Sequence, residues 1–403
     1  MSHTRRQGYL FPLAYLITVV GCGRDPSPTA PASGEIPAFA RGGIAPRFDF
    51  VTLGTLGGNW SEATGINEAR VVVGAAALTG ETATHAVRWT QASGIQDLGT
   101  LAGGTNSYAA GISDPGTAVG FSETAQGPHA VFWDSGGTIH DLGPSVWGGV
   151  AINNLGDIAW GEPQSDGTNT RILLRGQGGI VQDLGLLGGQ TYELSLGYPT
   201  VEAISDNGMI VVSPNWVWTS KKGWRHLPLP AGVEPGFLTG VNGRGEIISE
   251  SFYYKTPPPG QLFPRGVWWR NGNHPFDLGA QILPFGINDD QEMAAASGLG
   301  FPEPAHALVR VRSGAVYRLP GVPLSSNSLA MSINADGDVV GWVQVGVATV
   351  ASAWLRSPTG DIAEPQPSTA KGGLAAGASR LQLPAAMCEL RKGRLPRALC
   401  PPT

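Results

Sequence analysis

The sequence predicts an all-β fold, a β-propeller of seven blades with four antiparallel strands in each, and three observations predict it. The first is a repeat. A small residue, an aliphatic and then Asn or Ser recur as Gly65-Ile66-Asn67, Gly111-Ile112-Ser113, Ala151-Ile152-Asn153, Ala203-Ile204-Ser205, Gly240-Val241-Asn242, Gly286-Ile287-Asn288 and Ser332-Ile333-Asn334. Steps between the aliphatic positions are 46, 40, 52, 37, 46 and 46 residues. The second is composition: glycine, at 59 of 403 residues, is at roughly twice its usual share. These glycines fall at fixed places among Pro, Trp and Val, which describes short strands and tight turns rather than helices. The third is a constant order of turns and apolar runs after each triplet, equivalent to four strands per unit.

Each element has a physical reason. The triplet opens a turn, as in Ser113-Asp114-Pro115-Gly116, Asn153-Asn154-Leu155-Gly156, Ser205-Asp206-Asn207-Gly208 and Asn334-Ala335-Asp336-Gly337. Asn, Asp or Ser starts such a turn through side-chain hydrogen bonds, and Gly takes its positive-φ position. An aliphatic strand ending in Gly follows, as in Val71-Val72-Val73-Gly74 and Val339-Val340-Gly341, and completes a hairpin. A third strand reads His85-Ala86-Val87-Arg88-Trp89 and His129-Ala130-Val131-Phe132-Trp133, with weaker copies at 214–218, 265–269 and 306–310. The fourth ends in Asp97-Leu98-Gly99, Asp141-Leu142-Gly143, Asp183-Leu184-Gly185 or Asp277-Leu278-Gly279. One blade cannot bury both of its faces, whereas blades packed around an axis can. The small-residue strand suits the crowded innermost place, and the third-strand Trp suits the gap between blades. The ring is expected to close through Phe48–Gly54, which resembles a fourth strand and precedes the first triplet. Gly360-Asp361-Ile362 competes for that place.

The flanks read differently. Arg5 and Arg6 precede an apolar run from Tyr9 to Val20, the pattern of a secretory signal over residues 1–21. The run is too short for a comfortable membrane span. Val19-Val20-Gly21-Cys22 resembles a bacterial lipobox. That resemblance implies that Cys22 is acylated, and Gly23 after it implies the outer membrane. Residues 22–47, with Pro26, Pro28, Pro31 and Pro37 among small residues, read as a disordered tether. The propeller is expected over 48–369, with a basic low-complexity tail over 370–403. Residues 49–370 carry a net charge of −13 and the tail +5. An acidic globular part argues against a nucleic-acid partner. With Cys22 acylated, Cys388 and Cys400 remain, and an oxidising compartment permits one disulfide between them.

The Asp-Leu-Gly-Thr-Leu-Gly-Gly, Gly-Ile-Asn and His-Ala-Val-x-Trp elements resemble the HAF-repeat family of extracellular bacterial proteins. The tripeptide that names the family stands here as His85-Ala86-Val87, His129-Ala130-Val131 and His306-Ala307-Leu308. The likeness covers residues 50–356 and is strongest in the first two units. It implies export and a repeat fold, and it brings no activity or catalytic residue with it.

Chemistry is scarce. The repeat histidines lie on separate units, where other units hold Thr170, Pro214, Arg265 and Ser352, so packing and turn hydrogen bonds explain them. The repeat aspartates precede Gly and read as turn caps, with ring-wise calcium binding as the sharper alternative. Asn334-Ala335-Asp336-Gly337-Asp338 lacks the downstream glutamate of a calcium loop. There is no Gly-x-Ser-x-Gly elbow and no dinucleotide-binding glycine motif. Aromatic residues remain. Trp60, Trp147, Trp160 and Trp224 lie outside the third-strand position. Tyr253, Tyr254, Trp268 and Trp269 flank the insert Lys255–Gly260 and form the candidate ligand-binding cluster. Packing between blades is the competing reading. The sequence therefore predicts a non-enzymatic, monomeric, exported or surface-tethered binding or scaffold module for a glycan or an envelope protein, without metal or cofactor. The alternative is a polysaccharide lyase or glycoside hydrolase with a site at the channel mouth.

Overall fold

The described residues form seven four-stranded antiparallel units, five of them separate sheets and two, the first and the last, joined by a single parallel bridge between Trp60 and Thr349; among the described residues there is no helix. The structure is a computed structural model. It describes residues 45–146, 148–188, 198–254, 262–270, 274–279, 282–297 and 304–357. The signal, Cys22, the tether up to residue 44, Cys388, Cys400, the tail, Trp147, the insert Lys255–Gly260 and Gly360-Asp361-Ile362 lie outside these residues.

The first strands of blades 1 to 7 are Gly57–Ile66, Ser107–Ile112, Val150–Ile152, Thr200–Ile204, Val233–Val241, Leu283–Ile287 and Ser328–Ile333. Each touches the first strand of the next blade, and the last touches the first, so these strands form a closed inner ring. Phe48–Gly54 pairs antiparallel with Ala348–Arg356, from Phe48 opposite Arg356 to Gly54 opposite Ala351. The N-terminal strand is thus the fourth strand of blade 7, and the ring is tied where the chain begins and ends. Phe50 packs against Trp354 at this seam, with ring centroids 5.6 Å apart.

The triplet asparagines explain why the blades stay in register. Oδ1 of each accepts the backbone N–H four residues on, closing its own turn: Val71 for Asn67, Asp157 for Asn153, Glu246 for Asn242, Glu292 for Asn288 and Asp338 for Asn334. The Nδ2 group of the same side chain donates to the triplet carbonyl of the next blade. The links are Asn67 to Ser113, Asn153 to Ser205, Asn242 to Asn288, Asn288 to Asn334 and Asn334 back to Asn67, at 2.9 to 3.2 Å. Ser113 and Ser205 are too short to do both, and their hydroxyls reach only their own turns. A second set of bonds covers those two junctions. Asp114 N–H donates to Asn154 Oδ1 at 2.9 Å, and Asn207 Nδ2 donates to the Gly243 carbonyl at 2.9 Å. Buried donors and acceptors are thereby satisfied around the whole inner ring.

The third-strand tryptophans fill the gaps between blades, as the repeat predicts. Trp133, Trp269 and Trp354 are fully buried. Their indole N–H groups donate to the carbonyls of Leu98, Pro228 and Pro320 in the preceding blade. In blade 4 the same bond comes from Trp224, on the outer strand, to Leu184.

The turn after each triplet needs one left-handed residue. Gly116, Gly156, Gly208, Gly245 and Gly337 supply it, but Arg70 and Gln291 hold the same position at φ 57° and 64°. Non-glycine residues are strained there. Both reach across a junction. Arg70 pairs with Asp338 at 2.8 Å, and Gln291 Nε2 donates to Glu246 at 2.7 Å.

Candidate functional site

Two of the repeat histidines, His85 and His129, are partners of repeat aspartates within one sheet. Nδ1 of His85 lies 2.9 Å from Asp97, and Nδ1 of His129 lies 2.9 Å from Asp141. Arg171 with Asp183 and Arg265 with Asp277 repeat the arrangement with another cation. Each aspartate also accepts the N–H of the glycine two residues on: Gly99, Gly143, Gly185 and Gly279. One carboxylate thus fastens the third strand to the fourth and caps the turn that leaves it. The shared position tolerates either His or Arg because only a cationic or donor nitrogen is required. Among the described residues, no three His, Cys, Asp or Glu side chains are grouped so as to hold a metal ion.

The aromatic cluster needs correction. Trp268 and Trp269 are 2% and 0% exposed, so neither is a platform for a ligand. They alternate along one strand and point to opposite faces of the sheet. Trp269 fills the junction with blade 4, and Trp268 packs with Ile248 and Met293 toward blade 6. Tyr253 is half-buried, with the Arg265 guanidinium 4.8 Å above its ring. Tyr254 ends the second strand of blade 5. Trp160 is buried, while Trp60 and Trp224 are half-buried. The apolar run around the insert is explained by blade packing.

The inner strands hold chemistry that the repeat pattern conceals. In six blades a β-bulge falls two residues before the triplet aliphatic, at Thr64, Ala110, Glu202, Thr239, Phe285 and Met331. A bulge re-aims one side chain. These six side chains are only partly accessible, because neighbouring blades cover the faces of the strands. Thr64 and Thr239 hydroxyls donate to the carbonyls of Ala109 and Pro284 in the next blade, each at 2.7 Å. Glu202 has no such short route, and it takes a hydrogen bond from Ser213. Ser213 in turn accepts the Leu238 N–H at 3.1 Å.

Three carboxyls in this region are pushed upward by burial. Glu62 rises from the ordinary 4.5 to about 7, because it sits beside Leu53, Val72, Trp89 and Ala351, with only the Tyr108 hydroxyl bond opposing the rise. Glu202 rises to about 8 and Glu250 to about 7 for the same reason. A raised carboxyl keeps its proton longer in the folded protein than in the unfolded chain. The folded state then binds more protons, and stability falls as pH rises from about 4.5 through 7 to 8. The isosteric change Glu62→Gln is expected to remove the Glu62 share. At pH 9 the variant should exceed the wild type by about 3 kcal/mol, with the gap closing near pH 4.5. Urea unfolding across that range checks it, and a gap independent of pH contradicts it. Sequence reading missed these acids because an isolated Glu in a small-residue strand carries no spacing signal.

No protein-family model matches the chain, and no curated protein matches it significantly. Among solved structures it is similar to virginiamycin B lyase from Staphylococcus aureus, with 11% identity over 77% of this chain and 100% of that one, at a TM-score of 0.48. The β-propeller domain of the Trilobed protease from Pyrococcus furiosus gives 9% identity, 62% and 81% coverage and a TM-score of 0.44. TolB from Acinetobacter baumannii gives 12%, 69%, 77% and 0.36. At that distance the likenesses say nothing of activity, and the propeller assignment stands on the sheets themselves.

Proposed function

We propose that the chain is an exported, HAF-repeat β-propeller that works as a non-enzymatic binding or scaffold module for a glycan or an envelope protein. In this reading Cys22 carries the lipid that tethers it to the outer membrane or cell surface, and without acylation it is secreted. The observation that carries the reading is the use made of the recurring polar residues. The His–Asp and Arg–Asp pairs fasten strands, and the triplet asparagines fasten blades. A ring fixed in this way is a rigid frame on which variable loops present contacts, the usual place for recognition. The acidic balance of residues 49–370 supports a partner other than nucleic acid.

The test is a glycan and peptide array probed with the full exported chain, run beside incubation with soluble polysaccharides. Retention of one ligand class with no new reducing or unsaturated chain ends is the expected result. Turnover of a polysaccharide overturns the reading in favour of a lyase or hydrolase. A hydrolase requires two carboxyls roughly 5 to 10 Å apart, and Glu202 is the first residue to exchange for Gln in that event.

A further inference from the structure

The junction between blades 5 and 6 departs from the other six. In most blades the last residue of the third-strand motif is Trp, but blades 3 and 6 carry Arg175 and Arg310 there. In both cases the preceding blade answers with an aromatic residue. Arg175 lies 5.1 Å from the Phe132 ring centroid, and Arg310 lies 5.0 Å from that of Trp268. The next neighbours differ. At the first junction Phe132 stacks on His140, which is 3.2 Å from Asp134, so the aromatic cluster there includes an acid. At the second junction the residue equivalent to Asp134 is Arg270. Its guanidinium covers Trp268 at 4.1 Å and Phe276 at 5.0 Å.

Two guanidiniums therefore share one indole, and among the described residues no ion pair joins either to a carboxylate. Arg310 is 8% exposed, and its Nη1 has no hydrogen-bond partner. An unpaired buried cation is costly. Burial, and then the charge of Arg270, press the Arg310 guanidinium below its ordinary value. Arg270 itself is exposed. Phe276, 47% exposed, offers an apolar ring beside the two cations.

We propose that Arg270 and Arg310, carried on the buried Trp268 ring and flanked by the exposed Phe276, form a binding site for the carboxylate or sulfate group of an acidic saccharide. Arg forks match planar and tetrahedral oxyanions through paired hydrogen bonds, and the exposed Phe276 ring offers a surface to the apolar face of a sugar. Arg270 leaves the indole to meet the anion, and Arg310 meets it from below. The proposal deepens the binding reading and rests on it for its biological use.

The experiment is calorimetric titration of the full exported chain at fixed ionic strength with sodium glucuronate, sodium sulfate, glucose and an oligoglutamate. Wild type is expected to bind glucuronate, or sulfate, or both, and to ignore glucose. The glucuronate and sulfate arms tell a uronate preference from a sulfate preference. Arg270→Gln should weaken binding at least about tenfold, the usual weight of one charge-assisted bond. Arg270→Asp, which restores the acid found at the other junction, should abolish it and raise Tm. Arg310→Gln is read only if its circular dichroism is unchanged, and the two Arg270 variants decide without it. No binding of either small anion, equal affinity in Arg270→Gln, or binding of oligoglutamate alone overturns the proposal. If small anions bind while the array stays silent, the site stands and the module reading falls. If an array ligand is retained equally by Arg270→Gln, the module reading stands and the site falls.

Discussion

An internal deletion of Phe48–Gly54 is expected to unfold or aggregate the protein at temperatures where the wild type is stable. The segment supplies the fourth strand of blade 7 and, with Leu53, part of the core shared with blade 1. Phe48 and Phe50 pack on the cluster that contains Trp354. Burying large apolar side chains contributes roughly 1.5 to 3 kcal/mol each when complete. Losing the buried Leu53 with the partly buried Phe48, Phe50 and Val51 therefore removes on the order of 5 kcal/mol. That is comparable with the whole margin of a typical domain, roughly 5 to 15 kcal/mol. The deletion also bares Ala348–Arg356 as a long apolar edge, a template for pairing between molecules. Circular dichroism and light scattering during heating check the expectation. A deleted chain that melts at the wild-type temperature without scattering contradicts it.

The second large effect is expected at Asp338. Its carboxylate is wholly buried and holds Arg70 through Nε and Nη2, at 2.8 and 3.1 Å. It also accepts the backbone N–H of Arg356 at 2.6 Å and the amide of Asn334 at 3.2 Å. Arg356 continues the chain of charges to Glu292, again by two bonds. Two ion pairs, Arg70 with Asp338 and Arg356 with Glu292, joined through the backbone N–H of Arg356, thus link blades 6, 7 and 1. Asp338→Ala leaves these donors without an acceptor; Arg70, 42% exposed, turns to water, so the loss falls on the Arg356 N–H and the Asn334 amide, at about 1 to 3 kcal/mol each. At position 70 both Arg70→Ala and Arg70→Gly leave the buried Asp338 carboxylate without its cation, but Arg70→Gly should cost about 1 kcal/mol less than Arg70→Ala, because glycine relieves the strained left-handed backbone. Chemical denaturation of these variants measures the losses. Equal losses in the two Arg70 variants would show that the strain at Arg70 is negligible.

Much of this architecture is legible in the sequence. The triplets count the blades, the Asn-x-x-Gly turns place the hairpins, and Phe48–Gly54 betrays the seam by repeating a fourth strand. These features are local, fixed by residues within one turn of chain. What escapes is set by neighbours one blade away. The bulge at Glu202 depends on crowding at the axis, not on the residue itself. Arg70 breaks the glycine rule because Asp338 waits more than 260 residues further along the chain. Trp268 and Trp269 read as an exposed pair beside an insert, yet alternation along a strand covered on both faces buries both. Trp224 takes over the indole bond of its blade from the outer strand, a swap that no alignment of units by spacing reveals. Arg310 was visible as a break in the third-strand pattern, and its meaning came only with Trp268 and Arg270 around it.

The central claim is that the first and last strands close one ring. Hydrogen exchange followed by mass spectrometry on the full chain tests it without altering a residue. Phe48–Gly54 should be protected as strongly as Ala348–Arg356, and the two should lose protection together as denaturant is raised. Rapid exchange of Phe48–Gly54 while Ala348–Arg356 stays protected would contradict closure.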